Sequence, residues 1–154
     1  MSLSSVREFF ADKAPDIEVF ELAASTATVA LAAETLNVAP AQIAKTLSMQ
    51  LSDEIVLLVT RGDARLDNRK FKQHFGVKAR MLDAAAVRDA TGHPVGGVCP
   101  FGLVKPLRVF CDVSLRDFNE VFPAGGAPNA AVRITPERMA VLTSAEWVDV
   151  AQQG

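Results

Sequence analysis

Cysteine and histidine are scarce in this chain of 154 residues, which has two of each. Cys99 and Cys111, twelve positions apart, make neither a disulfide framework nor a zinc-binding spacing, and His74 and His93 add no cluster of ligands, so neither a metal nor a cofactor is expected. Long apolar runs are missing too. The first residues carry Arg7, Glu8, Asp12 and Lys13 among their apolar neighbours, which excludes a secretory h-region, and no later run approaches the ~20 residues that cross a bilayer. A soluble, cytoplasmic protein with no membrane partner is expected. A strong charge of either sign is also lacking: the net charge of -2 argues against a nucleic-acid binder, because a phosphate backbone rewards clustered Lys and Arg. Locally the balance reverses. Between Arg61 and Arg80 seven basic residues, Arg65, Arg69 and Lys70 among them, face only Asp63 and Asp67. That stretch fits a phosphate-contacting surface and a solvated helix face equally well.

The length is that of one domain, 1–154, able to bury its own core without staples. Ser5 to Lys13 reads as a short amphipathic helix ended by Pro15, and Ile17 to Leu22 as a strand. Thr28 to Leu36 is helical and alanine-rich with Asn37 as its stop, and Pro40 opens a further short turn. Leu47 to Leu51 and Ile55 to Thr60, separated by Ser52-Asp53-Glu54, carry the signal of an antiparallel hairpin. Asp67 is placed to cap a helix stopped at Gly76, and Ala84 to Ala90 forms another stopped at Gly92. Arg108 to Val113 is a strand followed by a helical turn capped by Ser114. Glu120 to Ala124 and Ala130 to Thr135 are strands around a glycine turn, and Pro136 opens a helix through Leu142. Strand pairs interleaved with helices on short links predict an α/β chain of the α+β type, with a mixed, largely antiparallel sheet and helices packed outside.

Against this scaffold three segments stand out. Lys45 is a lone lysine in the apolar run Ile43-Ala44-Lys45-Thr46-Leu47, at the entrance to a strand. The segment from Thr91 to Gly102 contains His93, Pro94, Gly96, Gly97, Cys99 and Pro100, and is too rich in glycine to be there for packing alone. Ala124-Gly125-Gly126-Ala127-Pro128-Asn129 repeats that character. Together they read as three walls of one pocket for a polar ligand, with the alternatives of a strand-edge lysine and of plain turns. Gly96 and Gly97 can present backbone N–H groups with no side chain in the way. Thr26 and Thr28, before an alanine-rich helix, either cap it or line the pocket.

The order of these motifs, from Glu21-Leu22-Ala23-Ala24-Ser25-Thr26-Ala27-Thr28 through Lys45, Arg65-Leu66-Asp67, the Gly-Gly-x-x-Pro loop and the Ala-Gly-Gly segment, resembles the YbaK/ProX (EbsC) family over about Ile17 to Val148. Members resemble the editing domain of bacterial prolyl-tRNA synthetase and hydrolyse mischarged aminoacyl-tRNAs. The resemblance implies a compact, partly closed sheet. It implies a deacylase for a small amino acid on tRNA(Pro), with aminoacyl-tRNA as partner and prolyl-tRNA synthetase as a further one. It also implies a catalytic Lys45 with the Gly96 backbone beside the substrate; from their own chemistry and place in the motifs, Gly97 is read as a second backbone donor and His93, Thr26, Thr28, Gly125, Gly126 and Asn129 as the surrounding substrate-binding set. Arg65, Arg69 and Lys70 become the tRNA-contacting residues. An activated ester needs a positioned water and a stabilised oxyanion, not a protein nucleophile. Two departures bear on the substrate: His93 replaces an aromatic residue of the cysteine-specific members, and Ala131 stands where those members place an aspartate. A non-catalytic module that binds the aminoacyl end or a synthetase, and a thiol-dependent small-molecule hydrolase built on Cys99, are the alternatives.

Overall fold

The structure is a computed structural model and describes residues 2–152. Local signals fix the helix ends. Helix α1 (Ser2–Lys13) buries Val6 and Phe10. Strand β1 (Val19–Glu21) leads to α2 (Val29–Leu36), whose first turn is capped by Thr28 accepting from the Leu31 N–H at 3.2 Å and whose last is closed by Asn37 at φ 57°. Thr28 therefore caps, as one of its two readings has it. A 3-10 turn (Pro40–Gln42) delivers the chain into β2 (Ile43–Gln50), which returns as β3 (Ile55–Arg61). Helix α3 (Asn68–Phe75) runs from an Asp67 cap to Gly76, and α4 (Ala84–Thr91) from an Asp83 cap to Gly92. After β4 (Arg108–Asp112), the cap of the following 3-10 turn is Asp112, whose carboxylate accepts from the Ser114 N–H at 2.9 Å; Ser114 is the residue capped, not the cap. Strands β5 (Phe122–Pro123) and β6 (Ala130–Val132), helix α5 (Pro136–Thr143) and strand β7 (Glu146–Val148) complete the order.

The main sheet has the order β5-β2-β3-β4-β7. Only β2 and β3 are antiparallel within it, in a register from Ala44 opposite Arg61 to Gln50 opposite Ile55; β5, β4 and β7 all join in parallel. The antiparallel share returns through the β1–β6 ribbon, which is linked to the β5 region by bridges at Val121–Ile134 and Ala124–Ala131. The mixed sheet therefore curls round without closing into a barrel, and its helices lie outside. Alternation along β2 and β3 divides the interior. Ala44, Leu57 and Val59 meet α1, Phe101, Leu115 and Met139 on one face, while Met49, Val56 and Leu58 meet Phe71 of α3 on the other. A third, small cluster of Ala32, Ala33 and Ile43 fixes α2 over the start of β2. No helix among the described residues is long and apolar enough to cross a membrane.

Candidate functional site

Burial of Ile43 under α2 and of Ala44 in the core beneath α1 sets the position of the next residue. Lys45 is the third residue of β2, inside the strand and opposite Thr60 of β3. Its half-buried stem runs along a cleft, and its ammonium donates to the Ala64 carbonyl at 2.5 Å. Ala64 belongs to the turn after β3, which is pressed so tightly against the Pro40 turn that a Cβ on Gly62 would lie 2.2 Å from the Pro40 oxygen. Burial pushes the Lys45 ammonium below the ordinary lysine range; Asp63 works against that and Arg65 adds to it. Among the described residues, Lys45 is the one ionisable residue lining the cleft.

The cleft encloses about 100 Å³. Apolar side chains of Val29, Ala32, Leu36, Ile43 and Phe122 form one side; Val95, Gly96 and Val98 form a second, and Ala124, Ala130 and Ala131 a third. Thr26, Ala27, Thr28 and Thr46 also line it. The Lys45, Gly96 and 124–131 segments, far apart in sequence, are thus brought together. A larger groove of about 500 Å³ lies beside Glu54 and Arg108, but it gathers none of these segments.

The remaining glycines hold the walls and do not line them. Gly97 donates its N–H to the Pro94 carbonyl at 2.8 Å, and its own carbonyl accepts from the Gly126 N–H at 3.0 Å; Gly125 donates to the Ala130 carbonyl at 2.9 Å. These three N–H groups are therefore bonded to backbone carbonyls, and of the pair Gly96 is the member that lines the cleft. Even there the space beside the Cα is taken, since a Cβ would stand 2.9 Å from that of Ala27. Asn129 is a strap, donating from Nδ2 to the Leu22 carbonyl at 3.0 Å. Buried Thr26 donates to the Pro128 and Ala130 carbonyls, at 3.3 and 3.4 Å, while its side chain borders the cleft.

His93 is not on the cleft either. It is 0 % exposed, with Nε2 bonded to the Phe101 carbonyl at 2.7 Å and Nδ1 to the Ser2 hydroxyl. Burial holds its pKa below the usual histidine value, and the Phe101 carbonyl partly offsets this. Sequence reasoning placed His93 by its motif and had no signal for the direction in which it points. His74 sits on α3 near Glu146 at 3.6 Å.

Cys99 is 0 % exposed, and burial pushes its thiol up to about 12. A thiol so raised, off the cleft, is a core residue, and Cys111 is buried likewise, its thiol also pushed up to about 12. Iodoacetamide should accordingly leave both thiols unmodified in the folded protein, and Cys99→Ala should keep most of any activity. Mass spectrometry after native alkylation, with an assay of the variant, checks both expectations; rapid labelling of Cys99 with parallel inactivation would contradict them.

Of the basic residues, Arg65 and Arg69 are exposed and in no ion pair among the described residues, whereas Lys70 is tied to Asp149 and to the Ala151 carbonyl, both at 3.1 Å. The positive charge of Arg65 adds to the lowering of the Lys45 pKa. No group of three or more His, Cys, Asp or Glu side chains that could hold a metal occurs among the described residues.

A mixed sheet curls around a small, largely apolar cleft lined by one half-buried lysine and the Gly96 backbone. The profile of the aminoacyl-tRNA editing domain family matches residues 23–142, and the chain belongs to that family. It is 46% identical over 154 residues to the uncharacterized protein YwhH of Bacillus subtilis, covering 99% of this chain and 98% of that one. It is 39% identical over 89 residues to proline–tRNA ligase of Moorella thermoacetica, covering 57% of this chain and 15% of the ligase. A crystal structure described as that of a candidate trans-editing enzyme for prolyl tRNA synthetase superposes with a TM-score of 0.90 at 33% identity, covering 99% of this chain and 98% of that one.

Proposed function

We propose that this protein is a deacylase acting in trans, which hydrolyses the ester joining a small mischarged amino acid to tRNA(Pro). The observation that carries the reading is that Lys45 and Gly96 line the same small apolar cleft, in a chain of the editing family. In this scheme the acyl side chain enters between α2 and β2. Water adds to the ester carbonyl, the C–O bond to the ribose breaks, and the ribose oxygen leaves with a proton. Lys45, its charge undiluted by neighbouring carboxylates on the cleft wall, stabilises the negative charge that develops on oxygen. The Gly96 backbone borders the same space. Selection by size suits such a site, because a synthetase pocket discriminates a missing methylene by only about 1–3 kcal/mol and a second sieve adds to that.

The test is a panel of tRNA(Pro) charged with alanine, serine, cysteine or proline. Faster release of a small amino acid than of proline is expected. Tight binding of the panel without turnover would replace the deacylase by a binding module.

Arg65, Arg69 and Lys70 are proposed to meet tRNA phosphates, Lys70 being the weakest of the three because it is already paired with Asp149. Neutralising Arg65 and Arg69 together should lower tRNA affinity and reduce the slope of log K against log salt by roughly 0.7–0.9 per lost phosphate contact. Hydrolysis of a minimal aminoacyl-nucleoside should be unchanged. An unaltered salt slope would return this surface to a solvated helix face.

A further inference from the structure

Helix α1 lies outside the residues matched by the editing-domain profile, yet its first turns are fitted against the loops that build the cleft. A Cβ on Gly126 would stand 2.8 Å from the Ser2 carbonyl oxygen, and one on Gly102 would stand 2.6 Å from that of Ser5. Phe101 lies against Phe9 and Phe10 of the same helix, with ring centroids 5.5 and 4.6 Å apart. His93 sits at the centre of this contact. A carbonyl oxygen only accepts, so the Phe101 bond requires the proton on Nε2, and Nδ1 then accepts from the Ser2 hydroxyl; the neutral ring satisfies both partners.

The consequence lies at the other end of the loop. His93 and Phe101 close the neck of a nine-residue loop whose tip, Val95 and Gly96, is a cleft wall, and Gly97 at that tip holds the Gly126 N–H. We propose that His93 is a positioning residue: by joining α1 to the neck of this loop, it sets where the Gly96 wall stands relative to Lys45, and so the size of acyl group the cleft admits. The inference rests on the cleft being the substrate site. A wall that shifts by even 1 Å changes productive binding strongly.

The test compares His93→Leu, which deletes both bonds, with His93→Gln, whose amide offers one acceptor and one donor, and with Ser2→Ala. The probes are nonhydrolysable 3′-amide analogues of alanyl- and leucyl-adenosine, and the readout is the ratio of their dissociation constants at a temperature well below each variant's melting point. Partial unfolding weakens both analogues equally and leaves the ratio alone. In His93→Leu the preference for the alanyl analogue should fall at least fivefold; His93→Gln should restore it to within twofold of wild type, and Ser2→Ala should shift it in the same direction by less. A folded His93→Leu variant with an unchanged ratio would overturn the proposal. If that variant does not fold, an unchanged ratio in Ser2→Ala overturns it and a lowered one supports it. Wild-type protein that binds the analogues but does not deacylate tRNA sinks the deacylase reading while the ratio still decides the role of His93; wild-type protein that binds neither analogue ends both.

Discussion

Lys45→Ala should leave the fold intact and lower deacylation by about two to three orders of magnitude. Removing a group that stabilises charge only in the transition state costs about 2.7–4 kcal/mol. The fold is expected to survive because the ammonium's one hydrogen bond among the described residues is to a turn carbonyl, while the strand around it is held by Ile43, Ala44 and the β3 pairing. Single-turnover rates of the folded variant decide the matter, and wild-type turnover would remove Lys45 from the mechanism. Its depressed pKa adds a pH signature. Between the folded-state pKa and the ordinary value of about 10.4 the native lysine is neutral and the unfolded one still charged, so stability contributed at this site rises with pH through that window. Enzymatic turnover, corrected for hydroxide-catalysed hydrolysis, should fall through the same window as the ammonium is lost. A Lys45→Met variant should show neither trend.

Gly97→Ala should destabilise the cleft loops and abolish ligand binding together. The added carbon would lie 2.5 Å from the Ala127 nitrogen and 2.7 Å from the Gly126 carbonyl carbon, both backbone atoms that cannot turn aside. Overpacking of this kind costs about 1–3 kcal/mol, and a backbone neighbour puts Gly97 at the upper end. Relief requires the two loops to part, which also breaks the Gly126–Gly97 hydrogen bond. Gly76→Ala makes the control, because its Cβ would meet nothing within 4 Å and only the left-handed φ of 78° opposes it, worth about 1–2 kcal/mol. Urea titration of both variants, alongside binding of an aminoacyl-adenosine analogue, should show a larger stability loss and a loss of binding for Gly97 alone. Equal effects would mean that the loop contact is slack.

Much of this was legible in the sequence wherever the signal is local. Asp67 and Gly76 bracket α3 because a carboxylate cap and a left-handed glycine act within one turn, and Thr28 with Asn37 does the same for α2. The three segments of the cleft were also legible, as residues too polar or too small for their surroundings. Pairing partners were harder. The hairpin of β2 and β3 was readable from its turn, but β7 is three residues long and exists through its parallel ladder with β4, a contact no local pattern announces. Strand β2 begins at Ile43, four residues before the alternation becomes visible, because Lys45 interrupts the apolar run it belongs to. The same blindness to direction put His93 and Gly97 at the ligand: a motif shows that a loop is tight, not which of its atoms face the cleft and which are spent holding it.

The antiparallel ribbon that sets Val19 opposite Val132 has a bearing on how the protein comes into being. Residues near the start of the chain wait for a partner made more than a hundred residues later, so on the ribosome the β2–β3 hairpin and α3 can form well before the cleft has its third wall. Pairing across so long a separation closes a large loop and belongs among the slow events of folding. A nascent chain halted before Ala130 would carry Lys45 already in its strand and still have no cleft, so competence arrives late and all at once in synthesis.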